Sequence, residues 1–380
     1  MTTRAIWGMM LRLAACLRSA HGPYLWGVSS ALALSLLTCL PTLPPIYEVS
    51  GFSYLGTRSE STASELQVFM APGLTRADAL PGDMVHLVPY FADLDGVLEP
   101  GSVDVDWFFC WGDCPDMCWA GCERLLSDKP CDAPTLGTDE FCHIGRGPEL
   151  ELPLTLEESL ETLLNSLEDG RISLPPIYIA VVAKDPRSTN PRSCVERLIH
   201  SSESLADCQL ALRTIYLGPS ATLVQLAAQA GINLPDRPPE SYTDYPNFNP
   251  VVVEFAVTEK RANGERIEHV VAPRGQVRVA RGAQVSARPR LLAVEQTFGM
   301  YAEYVWTDWR VIHDYVEVLE VELDEARSYD PNVPADDHFG IYFTTEHPRA
   351  GEAPILLVVT VYDTRASEVV EWIRVDVEDS

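Results

Sequence analysis

This chain of 380 residues is missing every common catalytic signature. It has no nucleophile elbow, no P-loop and no HExxH, and its eight histidines are scattered. His313-Asp314, Asp336-Asp337-His338 and Glu346-His347 are the nearest approach to acid–base pairs, and solvated turns account for them. Basic side chains are scarce, 28 Lys and Arg against 55 Asp and Glu, for a net charge of −27. That balance argues against nucleic acid or an anionic membrane face as the main partner. The apolar run Tyr24–Leu37 is only about 14 residues, too short to span a bilayer securely. No C-x2-C pair frames a zinc site, and Asp93-x-Asp95-Gly96 lacks the further acids of an EF-hand loop. The expectation is a protein without catalysis, metal or cofactor.

What is present begins with a targeting segment over residues 1–39. Arg4, Arg12 and Arg18 precede the apolar run, Cys39 follows it, and the first 47 residues hold no acid. Leu36-Leu37-Thr38-Cys39 resembles a lipobox, in which the cysteine is lipidated and becomes N-terminal; Thr38 departs from the small residue that pattern wants. Ala31-Leu32-Ala33 is a rival signal-peptidase site, and an uncleaved anchor is a third reading. Residues 40–64, opening on PTLPP and continuing without an apolar period, read as a flexible tether. Beyond residue 47 stand 25 basic and 55 acidic side chains, which suits a soluble body kept apart by self-repulsion.

The chain is organised around Pro81–Cys110. Pro81-Gly82-Asp83 is a turn. Val85, Leu87, Pro89 and Phe91 then alternate with Met84, His86, Val88 and Tyr90 in the period of a strand. Asp93-Leu94-Asp95-Gly96 closes it, and Val103, Val105 and Trp107 share one face of the next strand. The order Pro-Gly-Asp-x-Val-x-Leu, Asp-x-Asp-Gly, Trp-x-x-Cys resembles the first half of bacterial immunoglobulin-like sandwich repeats, and more narrowly predicted lipoproteins of Gram-negative bacteria that carry them. The resemblance implies that Trp107 plugs the space between two sheets, and that Cys39 anchors the protein at the outer membrane.

Beyond the targeting segment lie eight cysteines: Cys110, Cys114, Cys118, Cys122, Cys131, Cys142, Cys194 and Cys208. An even number in an exported chain reads as disulfides. The tetrad Cys110-x3-Cys114-x3-Cys118-x3-Cys122 invites a metal reading, but Gly112, Pro115 and Gly121 break any helix that would align its thiols. Cys194 and Cys208 bracket a loop grafted between two terminal strands, so its ends lie close and the pair is expected to bridge. The other six allow 15 connectivities.

An internal repeat sets the architecture. Ile177, Ile179, Val181, Ala183, Asp185 and Arg187 match Ile355, Leu357, Val359, Val361, Asp363 and Arg365 at a constant offset of 178. Each run is followed by a last strand, Leu210–Leu217 and Val369–Val377. The fold expected is all-β, two tandem immunoglobulin-like β-sandwiches over 65–218 and 251–380. The first carries a disulfide-stapled insertion and a short helix capped at Thr155 with a Leu156–Leu167 stripe. Residues 219–250 read as a linker with a short helix near 222–230.

The second sandwich offers strands over Val251–Val257, Arg266–Val271, Gln276–Ala280 and Ala283–Leu292, with turns at Gly264, Gly275 and Gly282. Arg274, Arg278, Arg281, Arg288 and Arg290 form a basic strip, read either as an anionic-glycan site or as partners of an acidic strand carrying Glu320, Glu322 and Asp324. Phe298, Tyr301, Tyr304, Trp306, Trp309 and Tyr315 are either core or, if exposed, a sugar-stacking platform. The function expected is structural or adhesive at the cell envelope, with an envelope protein or glycan as partner. The alternative is a glycan-binding module using Tyr304, Trp306, Trp309, Arg278 and Arg281.

Overall fold

A computed structural model describes residues 49, 51–62, 73–80, 82–111, 126–131, 141–154, 176–200, 204–218, 222, 246–292, 297–298, 301–302, 304–313, 318–321, 326–327, 340–345, 354–363 and 365–378. The targeting segment, Cys39, most of residues 40–50, the Leu156–Leu167 stripe and nearly all of the 222–230 segment lie outside them.

The first half contains β1 (Ser53–Thr62), β2 (Met84–Asp93), β3 (Gly96–Val97), β4 (Val105–Trp111), β5 (Leu126–Pro130), β6 (Phe141–Gly147), β7 (Leu150–Pro153), β8 (Ile177–Lys184), a helix α1 (Cys194–His200) and β9 (Cys208–Ile215). Sheet I joins β1, β2 and β3, with β7 also on β2; sheet II runs β5-β6-β4-β8-β9. Between them Val85, Leu87 and Phe91 of β2 meet Val105, Trp107, Phe109, Ile177, Ile179 and Val181 of sheet II. Trp107 is fully buried, and its indole N–H donates to the Gly147 carbonyl at 2.9 Å. The two turns form as their residues dictate. Gly82 takes φ 88°, and Asp93 Oδ1 accepts from the N–H groups of Asp95 and Gly96 at 2.7 and 3.1 Å.

The second half contains β10 (Val252–Lys260), β11 (Arg266–Val271), β12 (Gln276–Ala280), β13 (Gln284–Leu291), β14 (Thr297–Phe298), β15 (Tyr301–Ala302), β16 (Tyr304–Ile312), β17 (Val318–Val321), β18 (Ala326–Arg327), β19 (Ile341–Thr344), β20 (Ile355–Asp363) and β21 (Glu368–Glu378). Sheet III runs β11-β10-β13-β19-β17, and sheet IV runs β12-β21-β20-β16-β18. Their facing sides enclose Phe255, Val257, Val285, Trp309, Phe343, Leu357, Val359 and Ile373. β12 runs parallel to β21 and all other pairings here are antiparallel. The fold is all-β, with its sheets packed in pairs as β-sandwiches.

The offset of 178 is a structural equivalence. Trp107 pairs with Val181 across sheet II, and Trp309 pairs with Val359 across sheet IV. Each sandwich thus sets a buried tryptophan opposite the same repeat position. The Asp-x-Arg ends also correspond. Asp185 Oδ1 accepts from the Arg187 N–H at 2.8 Å, and Asp363 Oδ1 from the Arg365 N–H at 2.9 Å.

Two expectations are corrected. Ser53–Thr62 is no tether: it is β1, paired with β2 along its whole length. And the end of the supposed linker is buried, with Asn247, Phe248 and Asn249 almost wholly covered. The Asn247 carbonyl accepts from the Ala77 N–H at 2.7 Å, and Asn249 Nδ2 donates to the Ser59 carbonyl at 2.6 Å. Residues 46–380 therefore form one compact unit. A third core holds the sandwiches together. Leu55, Tyr90 and Ala92, on the outer side of sheet I, pack against Ile312, Leu356, Val358 and Val370 of sheet IV.

Polar contacts thread this junction. Arg213 of β9, 4% exposed, lies 3.5 Å from Glu368 of β21, 16% exposed; it also donates to Ser59 Oγ at 3.0 Å. The Thr57 N–H donates to Glu368, and Thr360 Oγ1 donates to the Leu55 carbonyl at 2.8 Å. Gly56 allows a close approach here: a Cβ would sit 3.0 Å from Val370 Cγ2 and 3.1 Å from Glu368 Oε1, tight enough that those side chains would have to shift. Nearby, Arg76 is buried against Asp83 and Asp78. Burial pushes the Asp78 carboxyl up to about 6 against the pull of Arg76 and Arg365.

Candidate functional site

Sheet III turns one side to the core and the other outward. On β10, Phe255, Val257 and Glu259 are buried while Ala256, Thr258 and Lys260 are not; on β13, Val285, Ala287 and Pro289 are buried while Ser286, Arg288 and Arg290 are not. The ladders place Thr258 beside Ser286, and Ala256 beside Arg288. On the other edge Thr258 faces Glu268 and Lys260 faces Arg266. Short side chains thus line the middle and long ones the flanks, which leaves a trough of about 600 Å³ bounded also by His269, Val270 and Tyr342.

The trough is basic within an acidic chain. Lys260 and Arg266 are exposed. The Arg288 guanidinium lies 5.7 Å from the centre of the Tyr342 ring and donates to the Tyr342 hydroxyl. Arg290 pairs with Glu254 at 2.7 Å. Beneath, His269 Nε2 is 3.3 Å from the buried Glu259. Burial raises the Glu259 carboxyl, but hydrogen bonds from Arg261, the Ala280 N–H and His269 outweigh it and hold the group below its usual range.

The basic strip read from sequence is divided between two sheets. Arg274 and Arg278 border sheet IV, where Arg274 pairs with Glu371 at 3.2 Å and lies 4.6 Å over the Trp372 ring, and Arg278 meets Glu378 at 3.3 Å. Arg281 follows β12 in a turn, its N–H donating to the Glu378 carbonyl at 2.9 Å. So Arg278 and Arg281 do not line the trough, whereas Lys260, Arg266 and Tyr342, not singled out before, do. Among the described residues Arg274, Arg278 and Arg290 pair with Glu371, Glu378 and Glu254. Of the expected acidic strand, Glu320 belongs to β17 but its side chain is not described, and Glu322 and Asp324 lie outside the described residues.

Trp306 and Trp309 do not form one platform. Trp306 and Trp309 are three apart on β16, which puts them on opposite faces of the sheet. Trp309 is 1% exposed and meets Phe255 edge-on at 6.3 Å in the core. Trp306 is half-buried and stacks on its cross-strand partner Tyr362 at 5.7 Å. Tyr304 opens β16, but its side chain, like those of Phe298 and Tyr301, is not described; Tyr315 lies outside the described residues.

Cys194 and Cys208 are bridged, with Cα atoms 5.8 Å apart, and Cys131 pairs with Cys142. Cys110 is also disulfide-bonded, while Cys114, Cys118 and Cys122 lie outside the described residues. The grafted loop holds α1, whose start reads in the sequence as the capping box Ser193-x-x-Glu196: Ser193 Oγ accepts from the Glu196 N–H and Glu196 from the Ser193 N–H, both at 3.1 Å. Arg197, 1% exposed, bonds Asp207 at 2.7 Å and the Ser204 carbonyl at 2.8 Å. The Arg197 bond holds the Asp207 carboxyl down at about 2. Among the described residues no group of three His, Cys, Asp or Glu side chains is placed to hold a metal ion, and no helix is long and apolar enough to cross a membrane. Of the His–carboxylate pairs, only His313 is described.

No protein-family model matches the chain, and no curated protein does. Among solved structures, the three N-terminal domains of the highly immunogenic outer capsid protein of bacteriophage RB49 are similar at 9% identity, over 86% of this chain and 100% of that one, with a TM-score of 0.17.

Proposed function

We propose that this is an exported, non-catalytic protein of the cell envelope, held to a membrane through a lipidated Cys39, with a structural or adhesive role. The observation that carries the reading is the cysteine chemistry. Each of the five described cysteines between residues 110 and 208 is in a disulfide, and such bonds persist in oxidising compartments. The joined sandwiches suit the mechanical part of the reading: a body locked through Leu55, Tyr90, Val358 and Val370 transmits force as one piece. Outer-membrane anchoring is the destination that the lipobox-like Leu36-Leu37-Thr38-Cys39 favours.

The test is thiol alkylation of protein taken from native envelopes, denatured without reductant and read by intact mass. The eight cysteines from Cys110 to Cys208 should take up no alkylating agent. Labelling at Cys194 or Cys208 without reduction would place the chain in a reducing compartment and overturn the reading.

A further inference from the structure

We propose that the outward trough of sheet III binds an acidic polysaccharide, its hydroxyls over Thr258 and Ser286 and its carboxylates or sulfates between the flanking cations. Charge is the first argument. The chain carries 55 acidic and 28 basic side chains, yet Lys260, Arg266, Arg288 and Arg290 line one trough, with Glu268 in its lining and Glu254 paired to Arg290 beside it. A cationic groove in an otherwise repelling surface concentrates field on a narrow anionic chain.

Register is the second. Lys260 and Arg266 are directly opposed on β10 and β11, and like charges placed so destabilise a sheet. Among the described residues neither has a salt-bridge partner, unlike the neighbouring Arg261, which holds Glu259 and Glu265. An anionic group seated between them would relieve that repulsion. Two further guanidiniums, Arg288 and Arg290, lie toward the other end of the same face.

The floor decides the ligand class. Ala256, Thr258 and Ser286 are short and two carry hydroxyls, so the trough offers hydrogen bonds along its length and no deep apolar pocket of the kind that anchors a peptide. Ala256 to Lys260 covers about 14 Å of strand at roughly 3.4 Å per residue, room for an extended segment of a polymer. The Tyr342 ring is engaged by Arg288, so successive bases of a nucleic acid would find no stacking platform there.

The inference extends the adhesive reading to a site and a ligand, and it rests on sheet III alone, so its failure is separable from that of export or anchoring. Full-length protein in detergent would be passed over immobilised polygalacturonate, heparin and dextran in low salt. Retention on one or both acidic polymers, none on neutral dextran, and loss of binding as salt rises are expected. Lys260→Ala/Arg266→Ala should weaken binding about tenfold or more, since charge-assisted contacts are the ones removed. Arg278→Ala, at the edge of sheet IV, should leave it unchanged, and neither variant should melt below wild type, since removing the opposed Lys260 and Arg266 charges relieves repulsion. Retention on heparin alone assigns sulfate, and on polygalacturonate alone carboxylate, within the same class. No retention on either acidic polymer, equal retention on dextran, or equal weakening by Arg278→Ala overturns the proposal.

Discussion

The junction between the sandwiches makes an asymmetric prediction about Arg213 and Glu368. The pair is 3.5 Å apart, with side chains 4% and 16% exposed. Removing the carboxylate by Glu368→Leu leaves a buried guanidinium hydrogen-bonded to Ser59 Oγ, and a guanidinium cannot shed its proton. Breaking a buried pair in that direction costs about 3–5 kcal/mol. Removing the guanidinium by Arg213→Met is cheaper, because Glu368 can take up a proton. Burial already raises its carboxyl above the usual range, against the pull of Arg213. The sign follows from that direction. A carboxyl raised in the folded state contributes stability below its unfolded pKa and loses it as pH rises through the folded value. Arg213→Met should therefore be nearly neutral in acid and lose stability progressively toward neutral pH. The double variant, which leaves no buried charge, should be less destabilised than Glu368→Leu. Urea unfolding followed by tryptophan fluorescence at several pH values reads all three. Equal costs for the two single variants at every pH, or strictly additive costs in the double, would refute the reasoning.

Other outcomes follow from the two cores and the stapled loop. Trp107→Ala and Trp309→Ala should each cost about 3–5 kcal/mol in unfolding, because each indole is buried between sheets; a Trp309→Ala protein of unchanged stability would place that ring outside the core. Asp207→Asn should remove stability that is present above the unfolded carboxylate pKa and lost as pH falls through about 2, so acid titration of wild type and variant should converge near pH 2 and diverge above pH 4.

How far the sequence revealed this arrangement depended on which side chains carried the pattern. β11 and β12 were legible to the residue because glycines bound them: Gly264 and Gly282 take φ 86° and 73°, and a Cβ on Gly275 would meet the Ala272 carbonyl at 2.7 Å. β8 and β20 announced themselves through apolar runs repeated at one offset. β1 was hidden, because the side it buries is Thr57, Ser59 and Ser61, hydroxyls packed in the narrow space beside Arg213 and Asn249. A hydrophobic period has nothing to register there. The trough was half legible. Neighbouring arginines in the chain suggested one strip, but the turn between β12 and β13 sends Arg278 to sheet IV and Arg288 to sheet III. The ladder brings in Lys260 and Arg266, a pairing that sequence adjacency does not encode. Trp306 and Trp309 part on parity alone, since residues three apart on a strand never share a face.

The proposed lipid anchor at Cys39 is tested most directly with radiolabelled palmitate. Acyl chains contribute about 0.8 kcal/mol per buried methylene, enough to hold an acidic body on a membrane that its charge of −27 would otherwise avoid. Wild-type protein should incorporate the label and sediment with membranes, while Cys39→Ser should do neither. Equal labelling of the two, or none in either, would contradict the account.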